Sequence, residues 1–218
     1  MPCMASVQSK PTPSALRALK QRDPRLGKAM RRLPAFPGLG NRRSADSHFH
    51  SLARTIIHQQ LSGSAAATIH DRVRRLTPGL RFPCAEEIHR LSAKRLQKAG
   101  LSKGKQKALK DLATRVLDGQ LNLRSISRLD DEDIISTLTE VHGIGVWSAE
   151  MFLIFRLGRL DVLPAGDLGV QEGLRLLDNL DERPTPSHLA ARGECWRPLR
   201  SVATWMLYRL VDEQRSSR

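Results

Sequence analysis

The stretch that decides the reading runs from Leu138 to Val170: LTEVHGIGVWSAEMFLIFRLGRLDVLPAGDLGV. Near its start, VHGIGVW (Val141 to Trp147) sets Gly143 and Gly145 between an acidic amphipathic segment and an apolar one. Glycine reaches positive φ at little cost and lets another backbone come close, so the pattern predicts a tight turn. A turn that opens a helix leaves the first N–H groups unpaired. These point the same way as the helix dipole, which makes a phosphate site. The next segment, Val146 to Leu157, is apolar nearly all round, with Ser148, Glu150 and Arg156 the exceptions. That predicts a buried helix rather than a surface one. Beyond it Asp167, in LPAGD, stands where a further helix would begin.

Working outward, the C-terminal side predicts a helix from Asp167 to about Leu177, another over Pro184 to Arg192, and a last one from Cys195 to about Val211. On the N-terminal side, Asp130 or Asp131 can cap a helix that leads into the glycine turn. GLSKGKQKALKDLATRVLDG, Gly100 to Gly119, predicts a helix with Leu109, Leu112, Ala113 and Val116 inward. Lys103, Lys105, Lys107 and Lys110 crowd its start, and such a run is as readily a solvated face as a functional one. Ala85 to Ala99 reads as one or two short helices. Asp46 to Gln59 has Phe49, Leu52, Ala53, Ile56 and Ile57 at the spacing of one helical face. Ser62 can cap the next helix, so two helices meet at Gln59-Gln60-Leu61. Asp23-Pro24 is a helix start, a capping acid followed by proline in the first turn. Residues 1–14, polar and rich in proline and serine, are expected to be disordered, with a first helix near Ala15. No useful stretch alternates as a strand would, and no repeat is found, so the chain reads as all-α.

Composition narrows the partners. The chain has 218 residues, with 36 Lys and Arg against 22 Asp and Glu, a net charge of +14. Such an excess favours a polyanion, either nucleic acid or an anionic membrane surface. No apolar run approaches the roughly 20 residues that span a bilayer, and the N-terminus lacks the apolar core of a secretory signal. A basic peripheral membrane protein would need an amphipathic basic helix faced with Trp or Phe, which is absent. Three scattered cysteines, Cys3, Cys84 and Cys195, are too few for a disulfide framework or a four-cysteine cluster. A reducing cytoplasm fits best.

The stretch resembles the helix-hairpin-helix DNA glycosylase superfamily, in particular its 3-methyladenine (alkylpurine) DNA glycosylase branch. The resemblance runs from about Leu16 to Leu210. Its motifs are the glycine hairpin, Ile57 to Ala66 as I-x-Q-Q-L-S-x-x-A-A, the opening Asp23-Pro24, and a closing W-x-P-x-R-S-x-A-x-W formed by Trp196, Pro198, Arg200, Ser201, Ala203 and Trp205. It implies an all-α, two-lobed fold with the active site in the cleft between lobes. The expected division is a lobe of 15–45 plus 166–218 and a hairpin-bearing lobe of 46–165. It also implies double-stranded DNA with alkylated bases as partner, no membrane, a monomer, and a bacterial-type, nucleoid-associated cytoplasmic location.

The resemblance assigns roles. Asp167 becomes the catalytic carboxylate; its plain alternative is an N-cap, a common use of Asp. Cleaving an N-glycosidic bond develops positive charge on the sugar, and a nearby carboxylate stabilises it and orients water. Relatives that also cut the strand carry a nucleophilic lysine five residues after the position of His142; here Trp147 stands there. An indole cannot form a Schiff base, so a monofunctional enzyme is implied. Trp147 is then a base-pocket wall or, alternatively, a core aromatic. Tyr208 aligns with a second pocket aromatic. Gln60, with Leu61 beside it, takes the place of the residue that fills the gap left by an extracted nucleotide; the alternative is a simple helix corner. His142, Gly143, Ile144 and Gly145 are the DNA-binding hairpin. The backbone carbonyls of Thr139, Val141 and Ile144 are the expected ligands of a structural monovalent cation, Na or K, and no cofactor is required. His48 and His50, two apart on a helix, point to different sides and are rejected as a metal pair. The competing reading is a non-catalytic helix-hairpin-helix DNA-binding protein.

Overall fold

The computed structural model of the protein describes residues 10–40, 47–61 and 63–217. Every regular element among them is helical. In chain order the α-helices are α1 (Pro13–Arg22), α2 (Pro24–Arg32), α3 (His48–His58), α4 (Gly63–Arg74), α5 (Ala85–Arg90), α6 (Ala93–Lys98), α7 (Lys103–Leu117), α8 (Asp131–Thr139), α9 (Val146–Met151), α10 (Leu168–Asp178), α11 (Pro186–Gly193) and α12 (Arg200–Ser216). Most starts are fixed by a side-chain oxygen that accepts an orphan N–H: Ser47 for His50, Ser102 for Lys105, Thr185 for His188. The chain divides into two compact units, Met1–Asn41 with Leu153–Arg218, and Arg42–Phe152.

In the unit Arg42–Phe152, α3 and α5 pack on α7, and α8 packs on α9. The apolar face expected of α3, Phe49 to Ile57, is buried, as are Leu109, Leu112 and Ala113 of α7. Val116 is only half-buried. In the other unit, α10, α12 and α2 pack together around Leu26, Val170, Leu174, Trp196 and Leu207. Leu160, Leu163 and Ala165 lie against this core, which is why the segment after Phe152 belongs here and not, as expected, with the hairpin. Asp23 does more than cap α2. Its Oδ1 accepts the Leu26 amide at 3.0 Å, while Oδ2 accepts the Trp196 indole and an Arg192 Nη2, each at 2.7 Å. Burial alone would push this carboxyl up; the three donors outweigh it and hold it below the ordinary value.

Several boundaries differ from expectation. Helix α1 begins at Pro13, with Thr12 accepting the Ala15 amide, so residues 13 and 14 are not tail. Asp46, where the third helical stretch was expected to begin, and the cap expected at Ser62 lie outside the described residues, as do residues 1–9. The helix expected over 146–157 is α9 followed by a π-helix, Phe152–Leu157. It is not buried all round: Phe152, Leu153 and Ile154 are inside, whereas Val146, Trp147 and Phe155 are about half exposed. The last helix starts at Arg200, not Cys195. Glu194–Trp196 is a 3₁₀ turn, and Pro198 has no N–H with which to continue it.

Candidate active site and DNA-binding hairpin

The hairpin joins α8 to α9. Val141 and Ile144 are buried and anchor it, leaving His142 and Gly143 exposed between them and Gly145 exposed just after. Gly143 has φ +80°, where a side chain is strained, and a Cβ there would lie 3.0 Å from the Cβ of Ala108 on α7. Both the turn and the close approach therefore call for glycine. The His142 amide donates to Asp111 Oδ2 at 2.7 Å, and the Gly143 carbonyl accepts the Gln59 Nε2 amide at 2.8 Å. Gly145 occupies the N-cap of α9 with no side-chain cap bond. Trp147, in the first turn of α9, is 45% exposed, unlike an ordinary core aromatic.

The corner between α3 and α4 is built from the same unit. Gln59 is half-buried; Gln60 and Leu61 are exposed. Gln60 has φ +55°, an uncommon left-handed conformation for a residue with a side chain. Lys105 Nζ donates to the carbonyls of Ile57 at 2.7 Å and Gln59 at 2.8 Å, the last turn of α3. A cation there satisfies orphan carbonyls and meets the negative end of the helix dipole. Burial lowers the Lys105 pKa. Lys110 similarly donates to carbonyls of His89 and Leu91. Of the lysine run, then, two members are structural and two, Lys103 and Lys107, face solvent. Sequence reasoning did not single out Gln59, Lys105 or Asp111 as supports of the site. Gln59 was visible as half of the Gln-Gln pair, but no local pattern announces a lysine that caps a distant helix.

In the other unit, Asp167 caps α10 and is 8% exposed. Its Oδ1 accepts the Val170 amide at 2.9 Å and its Oδ2 accepts the Tyr208 hydroxyl at 2.9 Å. Gly169 leaves room for this: a Cβ there would be 3.1 Å from both Asp167 Oδ1 and Tyr208 Cε1. The capping alternative for Asp167 is thus real, and the same two bonds fix the orientation of its carboxylate. Tyr208, expected only as a pocket aromatic, also holds the acid.

No group of three or more His, Cys, Asp or Glu among the described residues could hold a metal. His50 stacks on His70 and Phe82, with the two Nε2 atoms 2.7 Å apart, and His48 packs on Phe152. No helix among the described residues is long and apolar enough to cross a membrane.

A curated relative, DNA-3-methyladenine glycosylase 1 of Schizosaccharomyces pombe, is 35% identical over 162 residues, 74% of this chain and 71% of the relative. A solved 3-methyladenine DNA glycosylase of the same organism, in complex with abasic DNA, superposes with a TM-score of 0.76 at 31% identity, covering 89% of this chain and 95% of that one. A DNA-3-methyladenine glycosidase of Bacillus halodurans gives a TM-score of 0.81 at 32% identity, with 95% and 93% covered. The family model described as HhH-GPD superfamily base excision DNA repair protein matches residues 53–198, a span holding the corner, the hairpin and Asp167. The chain belongs to that superfamily.

Proposed function

We propose that the protein is a monofunctional DNA glycosylase that hydrolyses the N-glycosidic bond of alkylated purines, of the 3-methyladenine and 7-methylguanine type, in double-stranded DNA during base excision repair. The observation that carries this is Asp167, a nearly buried carboxylate with one oxygen held by the α10 N-terminus and the other by Tyr208. As the bond to the base stretches, positive charge grows on the sugar. A preorganised carboxylate stabilises that charge without reorganising and orients the attacking water. The names of the relatives supply the substrate class. N-alkylated purines are electron-poor and often cationic, and the half-exposed indole of Trp147 offers them a face. The ring of Tyr208 keeps the pocket role that the resemblance implies for it.

His142 to Gly145 hold the DNA backbone, with the Gly143 and Gly145 amides toward a phosphate. Gln60, beside Leu61, fills the gap left by the extracted nucleotide. The carbonyls of Thr139, Val141 and Ile144 are neutral hard donors suited to Na or K. Val141 O already accepts the Ile144 amide at 3.0 Å, which uses one of its two lone pairs and leaves the other for a cation. Such a cation would add positive charge facing the phosphate. The protein acts on this reading as a monomer in the cytoplasm, on the nucleoid.

Trp147 carries no amine to attack the sugar. Incubation with methylated DNA should therefore release free alkylpurines and leave abasic sites that break only after alkali. A stoichiometric protein–DNA adduct trapped by borohydride would overturn the monofunctional reading. Tight binding with no base released would favour the non-catalytic module.

A further inference from the structure

We propose that Gln59 and Lys105 are positioning residues for base extrusion, which lock the gap-filling corner to the DNA-binding hairpin so that both meet the duplex as one rigid piece. This rests on the roles given above to Gln60 and the hairpin. The link is direct. The Gln59 side chain crosses from the end of α3 to donate to the Gly143 carbonyl at 2.8 Å, and lies 3.4 Å from Ser148 Oγ, which is buried in the first turn of α9. From the other side, Lys105 fixes the Gln59 carbonyl. That carbonyl belongs to the peptide plane from which Gln60 turns into its left-handed conformation. Such a conformation is unfavourable for a residue with a Cβ and persists only where the surroundings over-determine it.

One stripe of α7 serves both elements. Lys105 holds the corner, Ala108 forms the floor under Gly143, and Asp111 takes the His142 amide. These positions recur every three residues and so share a face. A phosphate seated on the hairpin thereby sets where Gln60 points.

The test compares Gln59→Leu, Lys105→Met and Gln60→Ala on one alkylpurine lesion, in duplex and in single-stranded DNA. Extruding a base from duplex carries an unpairing cost that a single strand avoids. Each brace variant should lower duplex excision by about 3- to 10-fold, the usual worth of a hydrogen bond, and leave single-strand excision unchanged. Because the braces act through Gln60, Gln59→Leu should have no further effect on duplex excision once Gln60 is alanine. A loss equal on both substrates, or fully additive with Gln60→Ala, overturns the inference. If Gln60→Ala itself affects both substrates alike, the gap-filling role fails and the inference goes with it. If Gln60→Ala is duplex-selective and the braces are not, only the inference fails. Should Lys105→Met lose cooperative melting, Gln59→Leu decides alone, since water can replace its amide at the exposed Gly143.

Discussion

At the scale of single residues, Asp167 and Tyr208 carry the argument. Asp167 was legible because a cap position, the LPAG turn and the family pattern coincide on one residue. The hydroxyl of Tyr208 was not: it lies 41 positions away in sequence, and no periodicity reports what a side chain 41 residues distant will donate to. The two substitutions separate charge from aim. Asp167→Asn keeps an N-cap of equal quality, so melting should be unchanged, and DNA binding should persist. Excision should fall by about 100- to 1,000-fold, the worth of one preorganised electrostatic contact at a developing charge. Tyr208→Phe keeps the ring and the charge but removes the hydroxyl that Asp167 Oδ2 accepts. Losing that donor loosens the aim of the carboxylate, and small misplacements are costly. We expect excision to fall about tenfold. Single-turnover rates on methylated duplex measure both. A folded Asp167→Asn at wild-type rate would reduce Asp167 to a cap, and a Tyr208→Phe indistinguishable from wild type would deny the Tyr208 hydroxyl a positioning role.

Among the elements, the caps that open helices were more legible than the groups that close them. Ser102 and Asp23 announce helices because a short polar side chain satisfies a free N–H within its own next three residues, a local event. The ends of α3 and α5 are closed by Lys105 and Lys110, brought in from α7 by tertiary packing. The π turn at 152–157 was hidden because α and π windings of an apolar run look alike in composition. Asp23 shows a local signal with a non-local consequence. Its usual value is 3.8 and its folded value is lower. The stability it contributes is therefore whole above about pH 3.8 and is lost as pH falls through the folded value. Asp23→Asn keeps the cap on Leu26 but loses the charge that Arg192 and Trp196 address. At pH 7 it should cost about 2 kcal/mol, in the range for hydrogen bonds to charged groups, or about 4–8 °C in Tm. Melting curves between pH 7 and 3 should show the gap to wild type closing in acid. A gap constant with pH would place the loss in packing and not in charge.

For the molecule as a whole, the net charge of +14 announced a polyanionic partner, but not all 36 cationic side chains behind it are at hand. Arg115 is shared between Asp111 and Glu140, Arg200 lies on Asp161, Arg192 bridges Asp23 and Asp178, and Lys105 and Lys110 are spent on carbonyls. Binding to duplex should weaken with salt by about 0.9 in log affinity per decade for each phosphate neutralised. The slope should therefore correspond to a handful of contacts, far fewer than 36 cationic side chains would suggest. On the proposed role the hairpin should contribute whether or not the duplex is damaged, because a phosphate contact carries no base information. Gly143→Asp adds a like charge to the phosphate site, puts a Cβ at φ +80°, and drives it toward Ala108. It should weaken binding to intact and methylated duplex by the same factor and lower the salt slope by about one contact. Titrations of both duplexes across a decade of salt test this together. An affinity indifferent to salt would remove the backbone role from the hairpin. A Gly143→Asp that weakened only the damaged complex would move the hairpin from anchoring DNA to sensing the lesion.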